Sequence, residues 1–251
     1  MSGDFTGRVA IVTGAAQNIG RAIALQLAAG GARIVVNAKS SRAAAEDVAK
    51  TINEAGGEAI VHLADVTDEA ATAGLIAAAV AAFGGIDILV NNAAVRREQK
   101  FEDMTLAEWH SVLAVVLDGA FLCSRAALPF LRKSDRGSIV NLGGMSAHLG
   151  SVGRAHVITA KTGIIGFTRA LAHDLAPDGI TVNCVVPGRI ATVRGAAAGP
   201  GGAAGLHDIA IPLGRRGTSD EVASMVRFLC GPDARYLTGQ TMHVNGGAFL
   251  P

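Results

Sequence analysis

A chain of 251 residues, half of them hydrophobic and many of those alanine, has room for one α/β domain with a sizeable core. Its 22 basic and 21 acidic residues give a formal net charge of +1, which provides no electrostatic footprint for nucleic acid or an anionic membrane surface. The three cysteines, Cys123, Cys184 and Cys230, show neither metal-ligand nor disulfide spacing, so the expectation is small buried thiols in a reducing cytoplasm and no metal site.

The first residues have no basic segment followed by an apolar stretch, so no signal peptide is expected. An uncharged run of about eighteen apolar residues is also missing, and no membrane span is expected. The first strand is Val9–Val12, halted by Thr13-Gly14. A helical stripe of Ile19, Ile23 and Leu27 follows and ends at Gly30-Gly31. Short apolar runs at 33–37, 59–62, 86–90, 138–141 and 180–183 then alternate with alanine-rich helical stretches. Strands buried on both faces and separated by helices call for a parallel sheet with crossover helices. The alternation runs almost end to end, which predicts a single-domain, doubly wound Rossmann fold of about seven strands over residues 1–251. The one low-complexity stretch, 195–205, is mostly Gly and Ala; within 190–215 it is expected to form a flexible substrate lid.

The passage from first strand to first helix, Thr13-Gly14-Ala15-Ala16-Gln17-Asn18-Ile19-Gly20, is a glycine turn of the kind that brings backbone close to a pyrophosphate at a helix N-terminus. Candidate phosphate contacts are Gly14, Gln17, Asn18, Ile19 and Gly20. An acidic residue about 20 positions further on would select NAD(H) through the ribose 2′-hydroxyl. Here the run is Asn37-Ala38-Lys39-Ser40-Ser41-Arg42, with no acid before Glu46. Lys39, Ser40 and Arg42 can bind a 2′-phosphate, with Asn37 beside them as a further cofactor contact, so NADP(H) is favoured over NAD(H).

Thr13-Gly14 with Ile19-Gly20, Asp65-Val66, Asn91-Asn92-Ala93-Ala94, Lys161, Pro187-Gly188 with Thr192, and Thr238-Gly239-Gln240 together resemble the short-chain dehydrogenase/reductase family, in its oxoacyl-reductase-like form. The resemblance covers residues 7 to 248 with the motifs in family order. It implies that Asp65 and Val66 contact the adenine, Asn91 braces the fourth strand, and Ala93 passes the cofactor ribose. It also implies that Thr192, with Ile190 after Pro187-Gly188, holds the nicotinamide carboxamide, and that the chain forms a homo-oligomer, a tetramer. The family has glycine where Asn18 stands, and asparagine is among the few residues that tolerate a left-handed backbone.

The resemblance breaks at the chemistry. Lys161 matches the family's catalytic lysine and is expected to keep its role at the cofactor ribose, but the tyrosine four residues earlier is Val157, the serine is Gly144 and the asparagine is Val116. Tyr236, the chain's one tyrosine, lies in a C-terminal structural segment. Arg154, seven residues before Lys161, falls within about 20° of its direction on a helix and is expected to bind an anionic substrate, whereas His156 points about 140° away. His148 is expected to reach in from the loop after the fifth strand as proton donor. Arg96, Arg97 and Arg189 are expected around the same mouth. The leading expectation is an NADP(H)-dependent oxidoreductase acting on a small, anionic carbonyl or related substrate with a non-standard proton donor. A silent dinucleotide-binding sensor or partner subunit, or a lyase or isomerase on the same fold, stays open.

Overall fold

The computed structural model describes residues 3–193 and 210–251. Its centre is one seven-stranded sheet, ordered β3-β2-β1-β4-β5-β6-β7, in which every pairing is parallel. The strands are β1 (Val9–Val12), β2 (Arg33–Ala38), β3 (Glu58–Leu63), β4 (Ile88–Asn91), β5 (Ser138–Leu142), β6 (Thr181–Pro187) and β7 (Thr241–Val244). The helices are α1 (Asn18–Ala29), α2 (Arg42–Glu54), α3 (Glu69–Phe83), α4 (Leu106–Leu113), α5 (Gly119–Leu131), α6 (Ser146–Leu149), α7 (Ala155–Leu175) and α8 (Ser219–Cys230).

The period-two alternation of the strands divides the core between the two faces. Ala10, Val12, Ile34 and Val36 pack under α1, α2 and α8, while Ile11, Val35 and Leu89 pack under α3 and α5. Runs such as β1 and β5 are buried throughout because helices cover both faces. Cys123, Cys184 and Cys230 are free and buried as expected, and burial pushes their thiols up to about 12, 11 and 12 respectively.

The helical run Leu106–Leu131 is the longest apolar helix among the described residues. At 26 residues, with an 18-residue stretch of mean hydropathy 1.7, it is long and apolar enough to cross a membrane by length and composition. In the fold it is a layer of the domain: Val112, Val116, Ala120, Cys123, Ala127 and Leu131 form its buried stripe against the sheet. A π-helical segment (Ala114–Asp118) joins α4 to α5.

The chain leaves β1 toward β2 and β3 and then returns to place β4 on the other side of β1. This reversal opens a crevice beyond the carboxyl ends of β1 and β4, where parallel α/β sheets bind their ligands. A buried polar chain sets the neighbouring elements. Asn91 on β4 donates through Nδ2 to Ser124 Oγ on α5 (3.2 Å) and to Asn141 Oδ1 on β5 (2.9 Å), and Asn141 Nδ2 donates to Thr168 Oγ1 on α7 (2.9 Å). The helix carrying Lys161 is thereby referenced to the strand ends that form the crevice. Of the expected lid at 190–215, residues 194–209 lie outside the described residues.

Candidate active site

The glycine turn is built by close backbone packing. Gly14 has φ +62°, and a Cβ there would lie 3.0 Å from Ala93 Cα. A Cβ on Gly20 would lie 2.3 Å from the Gly14 carbonyl oxygen. Thr13 Oγ1 accepts from the Asn92 and Ala93 amides (3.0 Å each), and Asn92 Nδ2 donates to the Thr13 and Gly14 carbonyls (2.8 and 3.0 Å). These contacts clamp the ends of β1 and β4 together, and Asn92 is a clamp residue that motif reading passed over. Asn37 faces inward: its Nδ2 donates to the His62 and Ala64 carbonyls (3.2 and 3.1 Å), and its Oδ1 accepts from Gly14 N (3.4 Å). Its side chain is therefore a brace beneath the turn, which corrects the expectation of an Asn37 side-chain contact to the cofactor.

Asn18 has φ +51°, the left-handed conformation expected of a residue in a glycine position. Its carboxamide pairs with the Val193 backbone in both directions, Nδ2 to O and N to Oδ1, each at 2.9 Å. Gln17 is the exposed N-cap residue of α1, and Ile19 lines the crevice. At the adenine end, Lys39 Nζ lies 2.6 Å from Asp65 Oδ2, so two expected cofactor contacts are paired with each other. Burial pushes the Asp65 carboxyl up, but Lys39 and the Thr67 amide and hydroxyl outweigh it and hold the group below its usual range. Ser40 is exposed beside Lys39, and Val66 is buried against Gly119.

The crevice itself is about 330 Å³. Pro187, Gly188, Ile190 and Thr192 form one wall, and Thr192 Oγ1 accepts from Arg96 (3.1 Å). Lys161 lies at the base, 9% exposed, and donates from Nζ to the Leu142 carbonyl at 2.5 Å. Burial, assisted by Arg96, lowers its ammonium to about 8 against the opposing influence of Cys184. Val157 and Gly144 stand beside it as lining residues, and a Cβ on Gly144 would meet only Lys161 Cγ, at 3.8 Å. Below lies a cavity of about 10 Å³, lined by Thr13, Asn91, Val116 and Lys161 among others. That is room for about one water molecule, and the Asn91 Oδ1 is buried without a hydrogen-bond partner.

Arg154, Arg96, Arg189 and Arg216 line the crevice, and Glu98 is the one acid among its described lining residues. Arg216 was invisible to motif reading because it comes from the segment before α8, brought to the crevice by the Ile190–Gly217 bridge. Arg154 reaches it from the N-cap position of α7, so the helical arithmetic that grouped it with Lys161 does not apply; the loop places it there instead. Ser146, two residues after Gly144, also lines the crevice with a buried side chain, a hydroxyl that alignment to the family's serine position missed.

The geometry corrects the role expected of His148. Its ring stacks on Phe249 (4.9 Å between centroids) and packs edge-on to His243 (4.7 Å), and it is not among the residues lining the crevice. Burial, and then Arg169, lower its pKa. His156 is fully buried and also outside the crevice lining, in keeping with its expected direction. Tyr236 is fully exposed on the turn before β7 and does not line the crevice.

A seven-stranded Rossmann sheet with a glycine turn at its crevice and a buried lysine on the helix after the fifth strand defines a dinucleotide-dependent short-chain oxidoreductase architecture. The family model described as enoyl-(acyl carrier protein) reductase matches residues 14–248. A 3-oxoacyl-[acyl-carrier-protein] reductase of Synechocystis is 41% identical over 248 residues, covering 98% of both proteins. The FabG 3-oxoacyl-[acyl-carrier-protein] reductase of Escherichia coli is 38% identical, covering 98% of this chain and 99% of that one. A short-chain dehydrogenase from Burkholderia cenocepacia, solved in complex with NADP, superimposes with a TM-score of 0.89 at 35% identity, covering 98% and 99% of the two chains. The chain belongs to the short-chain dehydrogenase/reductase family, oxoacyl-reductase-like in sequence, and with it to the oxidoreductases.

Proposed function

We propose that the protein is an NADP(H)-dependent oxidoreductase acting on a small anionic carbonyl compound, with Lys161 as the proton donor. The observation that carries this reading is the position of Lys161. It is the one buried ionisable side chain among the described residues lining the crevice, and burial lowers its pKa to about 8. The turn fits a dinucleotide: Gly14 and Gly20 leave no room for a Cβ, α1 opens at Asn18, and Lys39 with Ser40 supplies a 2′-phosphate site without a competing acid at Ala38. Bound there, the nicotinamide supplies or accepts a hydride. Lys161 Nζ holds a proton near neutral pH and gives it to the alkoxide that develops on a reduced carbonyl. A water in the small cavity beside Asn91 would return that proton, and Ser146 can hydrogen-bond the substrate oxygen. Arg154 and its neighbouring arginines orient the substrate's anionic end.

The curated relatives act on 3-oxoacyl-[acyl-carrier-protein], as their names state. Val157, Gly144 and Val116 replace three groups that the resemblance implies for that chemistry, so a different carbonyl substrate is favoured. A homo-oligomer, a tetramer by family analogy, is part of the proposal, because Phe121 and Leu106 leave apolar surface on the outer face of the Leu106–Leu131 run. Residues 1–251 are read as one domain.

The test is NADPH oxidation over a panel of 2-oxo acids, phosphorylated aldehydes and their neutral counterparts, with light scattering on the same sample. Turnover confined to anionic carbonyls and lost in Lys161→Met supports the proposal. NADPH binding without turnover on any member would favour the silent dinucleotide-binding reading, for which Val157 and Gly144 are the specific observations.

A further inference from the structure

Five lysines occur in the chain, at positions 39, 50, 100, 133 and 161. The first four are exposed, while the fifth sits at the base of the crevice. The two positions beside it offer no screening polar group: Val157 is an apolar side chain, and Gly144 leaves open space, with Lys161 Cγ as the only atom within 4 Å of a Cβ built there. A carbonyl compound entering the crevice therefore meets the amine with no intervening hydroxyl from either residue. Around the entrance the guanidinium groups of Arg96, Arg154, Arg189 and Arg216 outnumber the carboxylate of Glu98.

We propose that Lys161 forms a covalent imine with small aldehydes or 2-oxo acids that carry a carboxylate or phosphate, a carbonyl-capture activity separate from hydride transfer. The Nζ lone pair attacks the carbonyl carbon to give a carbinolamine. Protonation of its hydroxyl and loss of water then form the C=N bond, with no net oxidation or reduction. The attack needs the neutral amine, and burial supplies it: the ammonium falls to about 8 from an ordinary 10.5, with Arg96 adding to the effect. The carbonyl's anionic group is held by the arginines, which brings the reacting carbon to the amine at high effective concentration. The imine's hydrolysis returns the carbonyl compound unchanged, so capture is reversible until a reductant acts on it. The capture rests on the placement of Lys161 and requires no dinucleotide, so it can fail or succeed independently of the oxidoreductase reading.

The experiment incubates the full chain, free of dinucleotide, with glyoxylate and sodium cyanoborohydride at pH 7.5 and maps carboxymethylated lysines by peptide mass spectrometry. Hydride from the cyanoborohydride reduces the imine to a stable secondary amine. Modification of Lys161 is expected about tenfold or more faster than at the four exposed lysines, because the crevice arginines hold the carboxylate beside its amine. Acetaldehyde, which lacks the anionic group, is expected to ethylate Lys161 more slowly than glyoxylate carboxymethylates it. Lys161→Arg, checked for folding by circular dichroism, should lose the fast event while the exposed lysines react as before. Arg154→Ala should slow the Lys161 reaction with glyoxylate more than that with acetaldehyde. Labelling spread evenly over the exposed lysines, with Lys161 unmodified in a folded sample, would overturn the proposal. Equal rates for glyoxylate and acetaldehyde would overturn its anionic specificity. NADPH binding, followed separately by fluorescence, reports on the oxidoreductase reading alone.

Discussion

Replacing Lys161 by methionine should make the protein more stable and catalytically dead, and the gain should depend on pH in a defined way. The native ammonium is buried and its pKa falls from 10.5 to about 8. Below about pH 8 both the folded and unfolded chains hold the proton, and the folded state bears the whole cost of the buried charge. At 1.36 kcal/mol per pKa unit that cost is about 3 kcal/mol. Between pH 8 and 10.5 the unfolded chain binds more protons than the native one, so stability rises with pH. Above 10.5 both forms are neutral and the cost is gone. Methionine is of similar length and apolar, but it forfeits the hydrogen bond from Nζ to the Leu142 carbonyl, worth about 1.5 kcal/mol for a charged donor. The net gain at pH 7 is about 1–2 kcal/mol, or a rise of about 2–8 °C in Tm for a domain of this size. Thermal melts of both proteins from pH 6 to 10.5 test this, because titrations elsewhere in the fold cancel in the difference. A variant no more stable than the parent at pH 7, or a difference that stays flat with pH, would refute a charged, buried Lys161.

Lys39→Ala should weaken NADPH binding roughly 2–30-fold and leave NADH unchanged, since a charge-assisted phosphate contact of about 1.5–3 kcal/mol is offset by about 1 kcal/mol from the pre-existing Asp65 pair; equal losses in fluorescence titrations with the two cofactors would count against the 2′-phosphate site. Gly144→Ser should melt within about 0.5 kcal/mol of the parent, because its Cβ has room, whereas Gly20→Ala should cost about 1–3 kcal/mol against the Gly14 carbonyl. Combined with Val157→Tyr, Gly144→Ser also tests the emptied site: new turnover from an inert parent would favour the silent-binder reading. His148→Phe should keep turnover within about threefold, rather than the 10²–10⁴-fold loss that removal of a general acid causes, because the ring packs on Phe249 and His243; a loss of the larger size in steady-state assays would restore it as donor.

The architecture was readable from the chain because parallel strands buried on both faces are short continuous apolar runs: six of the seven strands formed where the alternation placed them, while β7 (Thr241–Val244), half-buried at the sheet edge, gave no such run. Local motifs were equally legible where the chemistry is carried by neighbours in sequence: the left-handed Asn18 and the tight Gly14–Gly20 turn follow from backbone geometry alone. The emptied positions Val157, Gly144 and Val116 were likewise a matter of residue identity. Contacts between distant segments carry no such local signal. Sequence numbering placed Lys39 and Asp65 in separate roles, yet the ends of β2 and β3 lie side by side and their opposite charges meet. Asn37 looked available to a ligand until the crossover brought the His62 and Ala64 carbonyls beneath it, where a buried carboxamide needs partners. His148 reads as a donor by its spacing from Gly144, but β7 and the C-terminal segment close over it with His243 and Phe249. The arginine rim joins residues as far apart as Arg96 and Arg216, and only the packing of the strand-end loops decides which of the chain's dispersed charges face one crevice.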